Sequence, residues 1–103
     1  MKKNIAIVAG GYSSEYAVSL RSAEGLHSFI DKERYNLYIA LLTHDEWTIQ
    51  LPDGSWTAID KNDFSFTEAG KVTHIDFCYI TIHGTPGEDG RLQGYFDMIR
   101  MPY

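Results

Sequence analysis

Two stretches of this sequence set reactive side chains beside glycine-rich backbone. In "AGGYSSEYAVSLRSAEGL", starting at Ala9, the pair Gly10–Gly11 is followed by Ser13, Ser14 and Glu15. In "HGTPGEDGRLQG", starting at His83, the histidine leads four glycines (Gly84 the first), the adjacent acids Glu88 and Asp89, and Gln93. A glycine-rich break between a strand and a helix makes room for a small anionic or polar ligand. The first stretch lacks the Lys-Ser/Thr end of a P-loop and the glycine spacing of a dinucleotide fingerprint. It also fails the G-x-S-x-G nucleophile elbow, because Glu15 stands where the closing glycine belongs. Glu15 has a plain structural explanation as well, since a carboxylate in the first turn of a helix is favoured by the helix dipole by about 0.3–1 kcal/mol. For the second stretch the plain explanation is a strand-to-helix turn, with Glu88 or Asp89 as helix cap. That accounts for the glycines and one acid, but not for His83 at a strand end or Gln93 inside a helix. A metal site is disfavoured. The histidines 27, 44, 74 and 83 are scattered with no H-E-x-x-H pair, and no carboxylate cluster of the Mg²⁺ type is visible.

The elements that must position these residues follow from the pattern. Ile5–Ala9 is a continuous apolar run, as in a strand buried on both faces of a parallel sheet. Ser13 or Ser14 can cap a helix near 15–30, whose apolar face is Leu20, Ala23, Leu26 and Ile30. "YNLYIALLT" (35–43) reads as a second strand, completing a βαβ unit with a right-handed crossover. Two short segments around Pro52–Asp53–Gly54 form a hairpin. Residues 60–72 read as a loop with a helical turn. "HIDFCYITI" (74–82) is a third buried strand, and Leu92, Phe96 and Ile99 mark a short helix over 89–99. Pro102 ends that helix, and Met101–Tyr103 resembles the opening of a further strand. The expectation is one α/β domain spanning 1–103: a Rossmann-like, doubly wound, open and mostly parallel sheet with flanking helices and a β-hairpin insertion. In such sheets ligands bind at the carboxyl ends of the strands, which would bring Glu15 and His83 to one cleft.

Composition bounds the partners. The chain has 103 residues, of which 44% are apolar and 14% aromatic. That is enough for one domain with a true core. Net charge is −5 and falls almost wholly on the second half, so no basic patch invites nucleic acid. The basic start "MKK" is followed by too short an apolar run for a secretion signal, and nothing approaches a membrane span. Cys78 lies inside the apolar run "FCYITI", where a buried, inert thiol is expected rather than a nucleophile. A cytoplasmic protein fits these features.

"AGGYSSEYAVSLRSAEGL" and "HGTPGEDGRLQGYFDMIRMPY" together resemble the two N-terminal signatures of D-alanine–D-alanine ligases, ATP-grasp enzymes of peptidoglycan synthesis. Their order, their spacing and the Trp-bearing hairpin between them all match, and the likeness spans essentially the whole chain. Tyr16–Ala17 stands where family members usually carry a His-Glu or Arg-Glu pair. The resemblance implies a pre-ATP-grasp domain, with the central and ATP-grasp domains beyond this sequence. ATP and Mg²⁺ (or Mn²⁺) would then be bound outside it, with no cofactor or metal held by residues 1–103. It implies that ATP phosphorylates one D-alanine carboxylate and that the amine of a second D-alanine attacks the acyl phosphate. Glu15 would receive the ammonium of the first D-alanine, and Ser13, Ser14 and Val18 would shape its pocket. His83 would lie near the substrate carboxylate, with Gly84 and its neighbours letting backbone approach. Glu88 and Asp89 would hold the loop, and Gln93 and Arg21 would be structural. The resemblance also suggests a homodimer for the whole enzyme, with residues 1–103 inactive alone. Two other readings stay open: a non-catalytic binding or regulatory domain on the same sheet, and a ligase taking D-lactate or D-serine as second substrate.

Overall fold

The structure, a computed structural model, describes residues 2–10, 16–43, 46–81 and 90–103, with the backbone alone over 16–19. Its centre is β1 (Lys3–Gly10), in which Ala6, Ile7, Val8 and Ala9 are all fully buried. Alternating side chains on a strand point to opposite faces, so a run buried throughout needs cover on both. On one face Ile7 and Ala9 join Ile39 of β2 (Tyr35–Leu42) and Ala23 of α1 (Tyr16–Phe29), with Leu20, Leu26 and Ile30 packed around them. These are the helix residues expected from the spacing. On the other face Ala6 and Val8 join a larger core that includes Leu92 and Phe96 of α2 (Arg91–Met98). The two helices therefore cover opposite faces of the sheet.

After β2 the chain continues through β3 (Trp47–Gln50), β4 (Trp56–Asp60), β5 (Ser65–Glu68), β6 (Lys71–Thr73) and β7 (Phe77–Ile80). One sheet of seven strands results, in the order β6-β5-β4-β3-β2-β1-β7. β1 pairs in parallel with β2 and β7, whereas β2–β3, β3–β4, β4–β5 and β5–β6 are antiparallel. The expected mostly parallel, Rossmann-like sheet is thus corrected to a mixed and mostly antiparallel one. Connections 43–46, 51–55, 61–64 and 69–70 are too short for the crossover that parallel neighbours require. The parallel core is confined to β2-β1-β7.

The hairpin around Pro52–Gly54 is present. Leu51 N–H donates to Ser55 O at 2.7 Å and Gly54 N–H to Leu51 O at 2.9 Å, while Asp53 Oδ1 accepts from Ser55 Oγ at 2.6 Å. The loop expected over 60–72 is instead a second hairpin, β5–β6. Its two-residue turn, Ala69–Gly70, has φ of 52° and 80°. Positive φ at both central residues is the combination that suits a tight hairpin. β7 also departs from expectation, being an edge strand rather than one buried on both faces. Cys78 is buried, but Phe77 and Tyr79 are 36% and 47% exposed. No strand forms at Met101–Tyr103. That segment returns beside β7, where Pro102 O accepts from Cys78 N–H at 2.9 Å.

Candidate functional site

The order β2-β1-β7 creates a switch point. From β1 the chain moves to β2 on one side with α1 on one face, and β7 lies on the other side of β1, followed by α2 on the opposite face. In open α/β sheets the crevice for ligands lies outside the carboxyl ends of two such strands. The parallel register, from Ile5 opposite Phe77 to Val8 opposite Ile80, puts the ends of β1 and β7 side by side at one edge of the sheet. The two glycine-rich stretches follow these two ends directly in sequence.

Both strand ends are held tightly. Thr81 donates twice to Val8 O, from its backbone N–H and from Oγ1, each at 2.8 Å. On the other side Gly10 lies opposite Leu42 with φ of 99°. Such a left-handed value favours glycine. A Cβ at Gly10 would overlap the Leu42 carbonyl oxygen and stand 3.0 Å from Leu42 N and 3.1 Å from Leu41 Cδ1. β1 therefore delivers the chain into the Gly11–Glu15 stretch from a fixed point. Gly90, with φ of 82°, takes the N-cap position of α2, and no side chain caps that helix end.

Of the residues assigned chemical roles from the sequence, Ser13, Ser14, Glu15, His83 and Gly84 lie outside the described residues, as do Glu88 and Asp89. Val18 lies in α1, where only the backbone is described. Arg21 is exposed on α1. Gln93 is half-buried on α2 and lines a cleft of about 400 Å³ with Phe77, Cys78, Tyr79, Ile80 and Tyr103. That cleft runs along the outer side of β7 and includes neither Gly10 nor Thr81, so it is distinct from the edge between β1 and β7. The Thr81 double contact was missed from sequence, and a threonine after a strand gives no signal for it. Cys78 is fully buried, and desolvation pushes its thiol up to about 12. It is therefore protonated and unreactive at neutral pH. Among the described residues no group of three or more His, Cys, Asp or Glu could hold a metal ion, and no helix is long and apolar enough to cross a membrane.

The family model for the D-ala D-ala ligase N-terminus matches residues 4–103. The chain belongs to this family. A D-alanine--D-alanine ligase of Parabacteroides distasonis is 72% identical over 103 residues, covering 100% of this chain and 31% of that relative. Among solved structures, the VanG D-Ala:D-Ser ligase of Enterococcus faecalis superposes with a TM-score of 0.81 at 26% identity, covering 99% of this chain and 35% of that one. The D-alanine--D-alanine ligase of Bacillus anthracis, complexed with ATP, does so with a TM-score of 0.65 at 29% identity, covering 100% and 28%. This D-Ala ligase N-terminal domain thus spans about a third of the length of the relatives it matches.

Proposed function

We propose that this chain is the part of an ATP-dependent D-alanine–D-alanine ligase that binds the first D-alanine. The observation carrying this reading is the 72% identity to a ligase of that name, over an alignment that includes both glycine-rich stretches. The geometry agrees, because β1 and β7 lead into those stretches from adjacent strand ends at a switch point of the sheet. There Glu15 anchors the ammonium of the first D-alanine by a charge-assisted hydrogen bond, which fixes which end of the amino acid faces the nucleotide. His83 donates to the substrate carboxylate. Ser13, Ser14 and Val18 shape the pocket, and Gly84 with its neighbouring glycines lets the backbone approach the substrate. Chemistry of this kind depends on placing two amino acids in line and on neutralising developing charge, and these residues serve both needs.

ATP supplies the phosphoryl group that activates the carboxylate. We assign ATP and Mg²⁺ to the remaining two thirds of the protein, since the described residues offer no acidic cluster for the metal. A cytoplasmic homodimer serving cell-wall synthesis belongs to the same reading. The test is to incubate the full-length protein with D-alanine, D-serine, D-lactate and ATP and to identify the product. D-Ala-D-Ala as main product is expected. D-Ala-D-Ser or D-Ala-D-Lac in excess would move the chain to a variant ligase, and no ATP-dependent product would overturn the reading in favour of a binding or regulatory domain.

A further inference from the structure

The helix that follows the second glycine-rich stretch is not held by a side-chain cap. α2 starts after Gly90 with no such cap and no acidic residue in its first turn. It is held instead by the turn at 61–64 between β4 and β5. That turn is closed by Phe64 N–H donating to Asp60 O at 2.8 Å and braced by Asn62, whose N and Nδ2 both donate to Asp60 Oδ1 at 3.0 Å. Phe64 has φ of 58°. A bulky side chain adopts that left-handed conformation only under constraint from its surroundings. The ring lies in the core, where it meets Phe96 edge-on at 5.1 Å and 90°. The same turn presents the Lys61 carbonyl to the Tyr95 hydroxyl, which donates to it at 2.6 Å. Trp47 completes the contact: the Tyr95 ring stands 5.3 Å away at 88°, and Lys61 Nζ lies 5.0 Å from the indole centre. Burial, with Asp63 nearby, pushes the Tyr95 hydroxyl up to about 12, so it remains a donor at neutral pH.

We propose that Tyr95 is a positioning residue: by hydrogen-bonding the 61–64 turn it sets where α2 begins, and so where residues 83–90 meet the substrate. This rests on the reading above that those residues contact D-alanine. A hydroxyl on a backbone carbonyl is a modest interaction, worth about two- to tenfold in an equilibrium. Its loss should appear in substrate affinity rather than in the chemical step.

The experiment uses the full-length protein and Tyr95→Phe, which keeps the ring contacts and deletes only the hydroxyl. KM for D-alanine should rise about two- to tenfold with kcat within about twofold of the parent. The Gly94 amide donates to Gly90 O at 2.9 Å in the first turn of α2. It should exchange with solvent faster by a similar factor. Tyr79→Phe removes a hydroxyl from an exposed position on β7 and should change neither. Unchanged KM and unchanged Gly94 exchange in Tyr95→Phe would overturn the proposal, as would a fall in kcat alone. If the parent protein makes no dipeptide at all, the functional reading fails, and the clamp on α2 then stands or falls on Gly94 exchange.

Discussion

Gly10→Ala should be one of the most damaging methyl additions in this domain, and its cost can be worked from two separate sources. Gly10 has φ of 99°. Left-handed backbone costs an L-residue about 1–2 kcal/mol. The new Cβ would also overlap the Leu42 carbonyl oxygen in the neighbouring strand, a backbone atom that cannot rotate away. Forcing the two strands apart adds overpacking strain of about 1–3 kcal/mol. The total, about 2–5 kcal/mol, is a large share of the roughly 5–15 kcal/mol that holds a typical domain folded. Gly25→Ala is the matched control. Gly25 lies inside α1, and an added Cβ there would meet nothing within 4 Å. Alanine should therefore stabilise by about 0.5–1 kcal/mol through helix propensity. Urea unfolding of the 1–103 chain followed by circular dichroism reads both, with midpoints compared at constant slope. The expected outcome is opposite signs. A Gly10→Ala protein within about 0.5 kcal/mol of the parent, or a destabilised Gly25→Ala, would refute the geometric reasoning.

Two further outcomes follow from the core and from the open edge. Burial lifts the Cys78 thiol from 9.0 to about 12. The unfolded chain therefore loses this proton first, so the associated stability is present below pH ~9 and lost as pH rises towards ~12. The stability advantage of the parent over Cys78→Ala should shrink between about pH 8 and pH 10.5, by at most about 4 kcal/mol in the full limit, and parallel pH curves would contradict this. The isolated 1–103 domain should not bind D-alanine measurably, because an exposed ion pair contributes only about 0–1 kcal/mol against an association cost of about 4 kcal/mol or more. Saturable amide shifts at sub-millimolar D-alanine would show a preformed pocket instead.

The parallel centre of the fold was legible because its signals are local and redundant. Ile5–Ala9 reads as a doubly covered strand, and Leu20, Ala23, Leu26 and Ile30 mark the covering face of α1, as the two clusters on either side of β1 bear out. The antiparallel wing was only half legible. Pro52–Asp53–Gly54 announces its hairpin with turn chemistry, whereas alanine carries no turn signal. The β5–β6 turn nonetheless uses Ala69, at φ of 52°. Phe64, buried in a left-handed conformation, hides the start of β5 in the same way, since bulky residues are rare there. The edge position of β7 was missed because "FCYITI" looks continuously apolar, whereas the parity of the strand turns Phe77 and Tyr79 outward. The shared edge to which β1 and β7 deliver the two glycine-rich stretches was legible from strand order alone. The links that fix it, Thr81 to Val8 and Tyr95 to Lys61, are long-range and depend on three-dimensional placement.

The central claim is that Glu15, delivered from the end of β1, holds the ammonium of the first D-alanine. Glu15→Gln in the full-length protein tests it most directly, because it preserves shape and hydrogen-bonding capacity and removes only the charge. Steady-state rates over a range of D-alanine concentrations give kcat/KM, and a thermal melt of the same sample reports folding. A hydrogen bond to a charged group contributes about 1.5–3 kcal/mol, so kcat/KM should fall about ten- to hundredfold or more. The melting midpoint should move little, since the helix-dipole contribution lost is at most about 1 kcal/mol. Near-normal kcat/KM in a folded Glu15→Gln protein would contradict the claim and leave Glu15 as a carboxylate that only favours the start of α1.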